Sequence, residues 1–150
     1  MKTLLIAVLV LMAATANAQS LPDKTKAMID NIIPQVEKVS GHKAEFIGDK
    51  ACRDDGFCSA SFNWTQVQVY GRGVVNVLSG GTMSGEEYRS VCAAVFAGLT
   101  GNAQDNAEAL MQQAFAQGLQ RGRLRFDRGS VQVQISTTSS GAVECGFFKY

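Results

Sequence analysis

The chain has 150 residues, of which 46% are hydrophobic, 18% charged and 8% aromatic. That apolar fraction excludes collagen-like, low-complexity and disordered classes, and the length suits one domain rather than two. Fourteen basic against thirteen acidic side chains leave a formal charge of +1. The global field of a nucleic-acid binder is therefore missing, and a single histidine rules out a three-His metal site within one chain.

Residues 1–18 read as an export signal. Lys2 supplies a small positive start, Leu4 to Met12 an unbroken apolar core, and Ala16-Asn17-Ala18 the small-x-small pattern of a signal-peptidase site. The stretch is too short for the roughly twenty apolar residues that span a bilayer, so a membrane anchor is disfavoured. Gln19 rather than cysteine follows the cleavage point, which excludes a lipid-anchored lipoprotein. Brevity and the one-lysine start resemble bacterial signals and imply a periplasmic or secreted protein. The mature chain, residues 19–150, is read as a single domain, and losing Lys2 brings its basic side chains level with the thirteen acidic ones.

Four cysteines remain in the mature chain: Cys52, Cys58, Cys92 and Cys145. An even number in an exported protein reads as two disulfides. Of the possible connectivities, Cys52–Cys58 with Cys92–Cys145 is favoured, because the first pair brackets the short loop Arg53-Asp54-Asp55-Gly56-Phe57. Zinc would want closer Cys pairs or added histidines, and no CxxC redox motif occurs.

Along the mature chain, Ser20 caps a helix whose stripe is Met28, Ile29, Ile32, Ile33, Val36 and Val39. Pro34 predicts a kink or a break within it, and Gly41 ends it. Ala44 to Ile47 reads as a short strand. Ala60, Phe62 and Trp64 then alternate with Ser59, Ser61 and Asn63, and the parity shifts at Thr65-Gln66, where a bulge or a turn is expected. Val67 and Val69 continue on the new parity, Gly71-Arg72-Gly73 turns the chain, and Val74 to Leu78 is the partner strand. Ser84-Gly85-Glu86-Glu87 is a capping-box pattern opening a helix with Tyr88, Val91, Cys92, Val95 and Leu99 on one face. A second helix starts near Asp105, with Leu110, Met111, Ala114, Phe115 and Gly118 in its stripe. Leu124 and Phe126 alternate with arginines, Asp127-Arg128-Gly129 is a turn, Val131, Val133 and Ile135 alternate with glutamines, and Ala142 to Tyr150 forms a last strand after a polar loop. The order indicates an α+β fold: an antiparallel sheet of about five to six strands packed by three helices and stapled by two disulfides. The two halves loosely repeat helix then strands, with Gln66-Val67-Gln68-Val69 echoing Val131-Gln132-Val133-Gln134.

Arg121, Arg123 and Arg125 are the densest charge feature, with Arg128 just beyond. If residues 121–126 are extended, the first three share a face, and guanidinium forks suit carboxylates and phosphates. The competing explanation is a solvated strand whose arginines discourage edge-to-edge pairing. Asp49, Asp54 and Asp55 cluster near the first disulfide, but the grammar of a calcium loop is missing and a solvated acidic loop is the better reading. Asn63-Trp64-Thr65 fits the glycosylation sequon within an expected strand. His42 is the one imidazole, with Glu45 or Asp49 as an orienting carboxylate. It lacks a G-x-S-x-G elbow or a free cysteine to work with, while Glu86 and Glu87 read as first-turn helix residues. No motif calls for a metal or other cofactor.

The sequence thus describes a small exported, non-catalytic binding or accessory protein of the cell envelope, an inhibitor or immunity-type protein being one form of it. Arg121, Arg123 and Arg125 are its candidate contact surface for an envelope protein or anionic envelope component. Neither nucleic acid nor a membrane span after signal cleavage is expected. The alternative is a small secreted hydrolase using His42.

Overall fold

A computed structural model describes residues 20–48, 52–80 and 83–150. The expected export signal of residues 1–18 and Asp49 lie outside the described residues. Helix α1 (Leu21–Ser40) leads into strands β1 (Glu45–Phe46), β2 (Phe57–Phe62), β3 (Thr65–Tyr70) and β4 (Val74–Ser79). Helices α2 (Gly85–Thr100) and α3 (Gln104–Arg121) follow, then β5 (Arg123–Arg128), β6 (Val131–Thr137) and β7 (Val143–Lys149). All seven strands form one antiparallel sheet in the order β1-β2-β3-β4-β7-β6-β5. The fold is α+β as expected, with seven strands rather than about five to six. The count rises because the join at Thr65, read as a bulge or a turn, is a turn that separates β2 from β3.

Alternation along each strand explains the layering, since side chains two apart share a face. Val67, Val69, Val75, Val77, Val133, Ile135 and Phe147 all turn to one face and are buried against the helices. Helix α1 closes that core with Ile29, Ile32 and Val36, each fully buried. Their burial explains why α1 stays one helix through Pro34, where a break was one of the two expectations. An interior proline costs about 3 kcal/mol, less than three buried aliphatic side chains return at about 1.5–3 kcal/mol each. Ser20 accepts from the Asp23 N–H at its start. At the other end, the Gly41 N–H bonds to the Glu37 carbonyl in a left-handed cap.

Helix α2 carries the expected capping box between Ser84 and Glu87 and is buried on most of its circumference. It is pressed against α1, where a Cβ on Gly98 would stand 2.7 Å from both the Asn31 carbonyl oxygen and the Ile32 Cα. Both disulfides have the expected pairing, Cys52–Cys58 and Cys92–Cys145. The second ties α2 to β7 across 53 residues of chain. Closing a loop of that length is worth about 4 kcal/mol on the chain-entropy view.

The sheet has a seam. Strands β4 and β7 pair only through Val74↔Phe148, Val75↔Phe147 and Asn76↔Gly146, although β4 continues to Ser79 and β7 begins at Val143. The next link in that register would join the Cys145 N–H to the Val77 carbonyl. Instead the Tyr88 hydroxyl of α2 occupies the gap, donating to the Val77 carbonyl at 2.8 Å and accepting from the Cys145 N–H at 3.0 Å. A phenol thus replaces one rung of the ladder. Burial pushes its pKa up to about 12, so it keeps its proton and serves as donor and acceptor at once.

Two outcomes follow for Tyr88→Phe. Two buried backbone groups lose their partner, and urea unfolding should register a loss of about 1–3 kcal/mol. In the native chain Tyr88 ionises at a higher pH than in the unfolded chain. Its contribution is therefore complete below about pH 10 and falls as pH rises toward 12, a decline the Phe variant should lack. Gly98→Ala forces α1 and α2 apart and should cost about 1–3 kcal/mol in the same assay.

Candidate functional site

The helices cover one face of the sheet and leave the other open. Across that open face the registers align Phe57, Tyr70, Val74, Phe148, Gln132 and Asp127 in one row. The neighbouring row is Ser59, Gln68, Asn76, Gly146, Gln134 and Arg125. Phe57 and Tyr70 lie ring to ring at 5.0 Å, and Phe148 meets Tyr150 edge-on at 5.1 Å. The C-terminal aromatics divide as the alternation requires: Phe147 enters the core, Phe148 is half-buried on the open face, and Tyr150 is exposed.

The arginine row ends this face. Arg123 and Arg125 are exposed on β5, two residues apart and on one side of it. Arg121 is not on the strand. It is the last residue of α3, and the left-handed cap Gly122 separates it from β5. A strand start at 121 was the wrong reading because Arg121 completes a helical turn, where a cation is favoured by the helix dipole. Arg125 donates to the Gln134 side-chain oxygen at 2.8 Å, and the Arg128 guanidinium stands 5.6 Å over the Phe126 ring. Asp127 accepts from the Tyr150 hydroxyl at 3.1 Å and from Gln132 at 3.2 Å. The Asp127 carboxylate in turn raises the Tyr150 pKa.

β5 is also the last strand of the sheet. The Thr137 N–H bonds to the Gly122 carbonyl at 2.9 Å, which fixes the phase of the β5–β6 ladder. In an antiparallel ladder the bonded pairs alternate. Leu124 and Phe126 therefore direct their backbone groups to β6, and Arg123, Arg125 and Asp127 direct theirs to the free edge. Leu124 and Phe126 are half-buried toward α3 and line a shallow groove of about 180 Å³ with Leu110 and Ala114.

His42 lies elsewhere, in a cleft of about 590 Å³ between the end of α1, the β2–β3 turn and the start of α2. Trp64, Glu86, Glu87 and Ser90 line the same cleft. The shifted parity noted at Thr65 is resolved by a two-residue turn, Asn63-Trp64, since Phe62 pairs directly with Thr65. Trp64 is consequently 56% exposed rather than on the apolar face, and the sequon residue Asn63 sits in a turn at φ 59° rather than in a strand. The His42 Nε2 is 3.4 Å from the Asn63 amide, and its backbone N–H bonds to Ser40. Among the described residues no carboxylate hydrogen-bonds the imidazole. Glu87 is committed to the Ser84 N–H at 2.8 Å, and that backbone bond, followed by the Ser84 hydroxyl, holds it below the usual carboxylate range. Glu45 stands on β1, paired with Ser61.

The acidic loop is likewise occupied with itself. Asp55 pairs with Arg53 at 2.6 Å and accepts from the Phe57 N–H, and the Arg53 guanidinium stands 5.6 Å from the Phe57 ring centre. Among the described residues no cluster of three His, Cys, Asp or Glu side chains is placed to hold a metal. Comparison with known protein families, with curated proteins and with solved structures finds no match for the chain.

Glu37 is also held low, chiefly by Lys43 and then by the Ala44 N–H. For both glutamates the folded pKa lies below the unfolded one. Their contribution is therefore present above the ordinary carboxylate pKa and lost as pH falls through the lowered value. From about pH 6 to about pH 3, the melting temperature of Glu37→Gln/Glu87→Gln should fall less steeply than that of the unmodified chain.

Proposed function

We propose that the chain is a small exported, non-catalytic binding protein of the cell envelope, acting at the free edge of β5 on an acidic partner. The observation that carries this reading is the coincidence of two features on one strand. Arg123 and Arg125 project from the open face, and the same residues turn outward backbone N–H and C=O groups that have no partner among the described residues. An extended acidic segment satisfies both at once, adding a strand by main-chain hydrogen bonds and pairing its carboxylates with the guanidinium forks. Arg121, exposed at the end of α3, extends the positive surface. Export is supported by the signal pattern of residues 1–18 and by two disulfides, which persist in oxidising compartments. Among the described residues no helix is long and apolar enough to cross a membrane. An inhibitor or immunity-type protein is one form of such a binder, since strand addition can occlude a partner's cleft.

The hydrolase alternative draws on one observation, the cleft shared by His42, Glu86, Glu87 and Ser90. It is the weaker reading, because the imidazole faces an amide and Glu87 is spent on the helix cap.

Affinity capture from envelope extract with the mature chain and with Arg121→Gln/Arg123→Gln/Arg125→Gln tests the binding reading. The variant should bind its partner about tenfold more weakly at low salt, and added salt should narrow the difference. Equal capture at every ionic strength overturns the reading. A hydrolytic activity that disappears in His42→Ala at unchanged melting temperature decides for the alternative.

A further inference from the structure

A third cleft, sharing no residue with the β5 edge, lies beside the seam of the sheet. It measures about 650 Å³ and opens between the end of β4, the start of β7 and the outer sides of α2 and α3. Its origin is the Tyr88 rung. Because β4 and β7 stop pairing at Asn76↔Gly146, their remaining residues diverge, and Ser79 and Val143 stand on either side of the opening. The walls are mixed: Met83, Phe115, Ala116, Leu119, Ala142 and Val143 are apolar, and Ser79, Ser84, Arg89 and Gln112 are polar. Leu119 is 57% exposed, continuing the stripe of α3 past the point where the sheet covers it.

One cation lines this cleft. Arg89 follows Tyr88 on α2 and is half-buried, yet among the described residues it has neither an ion pair nor a hydrogen bond. A guanidinium without a protein acceptor offers an anion a charge-assisted bidentate contact. A cleft with an apolar wall and a single positive group matches a ligand with one anionic head and one apolar chain. An acidic peptide offers repeated charge, and an uncharged hydrocarbon leaves Arg89 unanswered.

We infer that this cleft binds a free single-chain anionic amphiphile, its carboxylate on Arg89 and its alkyl chain along Phe115, Ala116, Leu119 and Val143. The inference does not depend on the β5 reading, and variants at Arg121, Arg123 and Arg125 should leave this binding unchanged.

Titration calorimetry on the mature, disulfide-bonded chain with laurate below its micellar concentration tests it. One laurate should bind per chain. Decanoate, shorter by two methylenes, should bind about tenfold more weakly, and dodecan-1-ol should also lose about tenfold or more. Arg89→Gln should weaken laurate binding by about tenfold or more. Ala116→Trp fills the cleft from an exposed helix position and should abolish binding at an unchanged melting temperature. Laurate binding unaffected by both variants overturns the inference, as does dodecan-1-ol binding as tightly as laurate. A response to phosphatidylglycerol vesicles with none to monomeric laurate also overturns it, since a membrane surface is then the ligand.

Discussion

The hydroxyl of Tyr88 is the joint on which the architecture turns. Two three-stranded meanders, β2-β3-β4 and β7-β6-β5, meet back to back along β4 and β7, joined by three residue pairs and by the Lys149 N–H on the Gly73 carbonyl. At the fourth position the phenol bridges both strands, and four residues further along α2, on the same helical face, Cys92 bonds to Cys145. One helix face thus grips β7 at Cys145 twice, by a hydrogen bond to its backbone and a covalent bond to its side chain. Lys149, half-buried at the far end of β7, donates to the Leu99 carbonyl at 2.7 Å and secures the last turn of the same helix. The short junction between the two meanders is therefore heavily braced.

That bracing determines what is left for function. Helix α2 is held over the seam, α1 approaches it at Gly98, and α3 packs Gly118 onto Ile135 of β6. With all helices on one side, the opposite face stays open, and the outermost strand of the second meander is left with a free edge. Two places where groups lack partners among the described residues arise from the same constraint. The β5 edge is open because the meanders join through β4 and β7 rather than closing on themselves. The seam cleft is open because a side chain, and not a strand, completes the ladder.

Much of this was legible in the residues. The S-x-x-E pattern at Ser84 predicts the capping box, the short loop between Cys52 and Cys58 predicts their bond, and strict alternation in Val131, Val133 and Ile135 predicts a half-covered strand. The echo between Gln66–Val69 and Val131–Gln134 falls on β3 and β6, the middle strands of the two meanders, so the repeat of helix then strands has a counterpart in the topology. Other features were hidden for identifiable reasons. Arg121 keeps the spacing of the strand arginines while belonging to a helix, because period two and the end of a helix are indistinguishable over so few residues. Trp64 continues an alternation across a turn that its neighbour Asn63 makes by adopting a positive φ, which asparagine tolerates. Tyr88 reads as one more apolar stripe residue, and nothing in its spacing reports that its oxygen ends up between two strands. Arg89 was invisible for the same reason, since its environment depends on how far β4 and β7 diverge.

The two arginine settings carry different physics. Arg123 and Arg125 are exposed, so water and salt screen whatever they meet, and their value lies in steering and register. Arg125 is already oriented by Gln134, which reduces the side-chain freedom lost on contact. Arg89 is half-buried in a cleft, where a bound anion is less screened by salt than on an open strand. A chain with fourteen basic against thirteen acidic side chains has almost no net field to attract a partner from a distance. Selectivity must then come from local arrangement: alternation along an edge in one case, a lone cation beside an apolar wall in the other. Both arrangements are products of the seam, which makes Tyr88, a residue that touches no proposed partner through its hydroxyl, the common positioning element behind them.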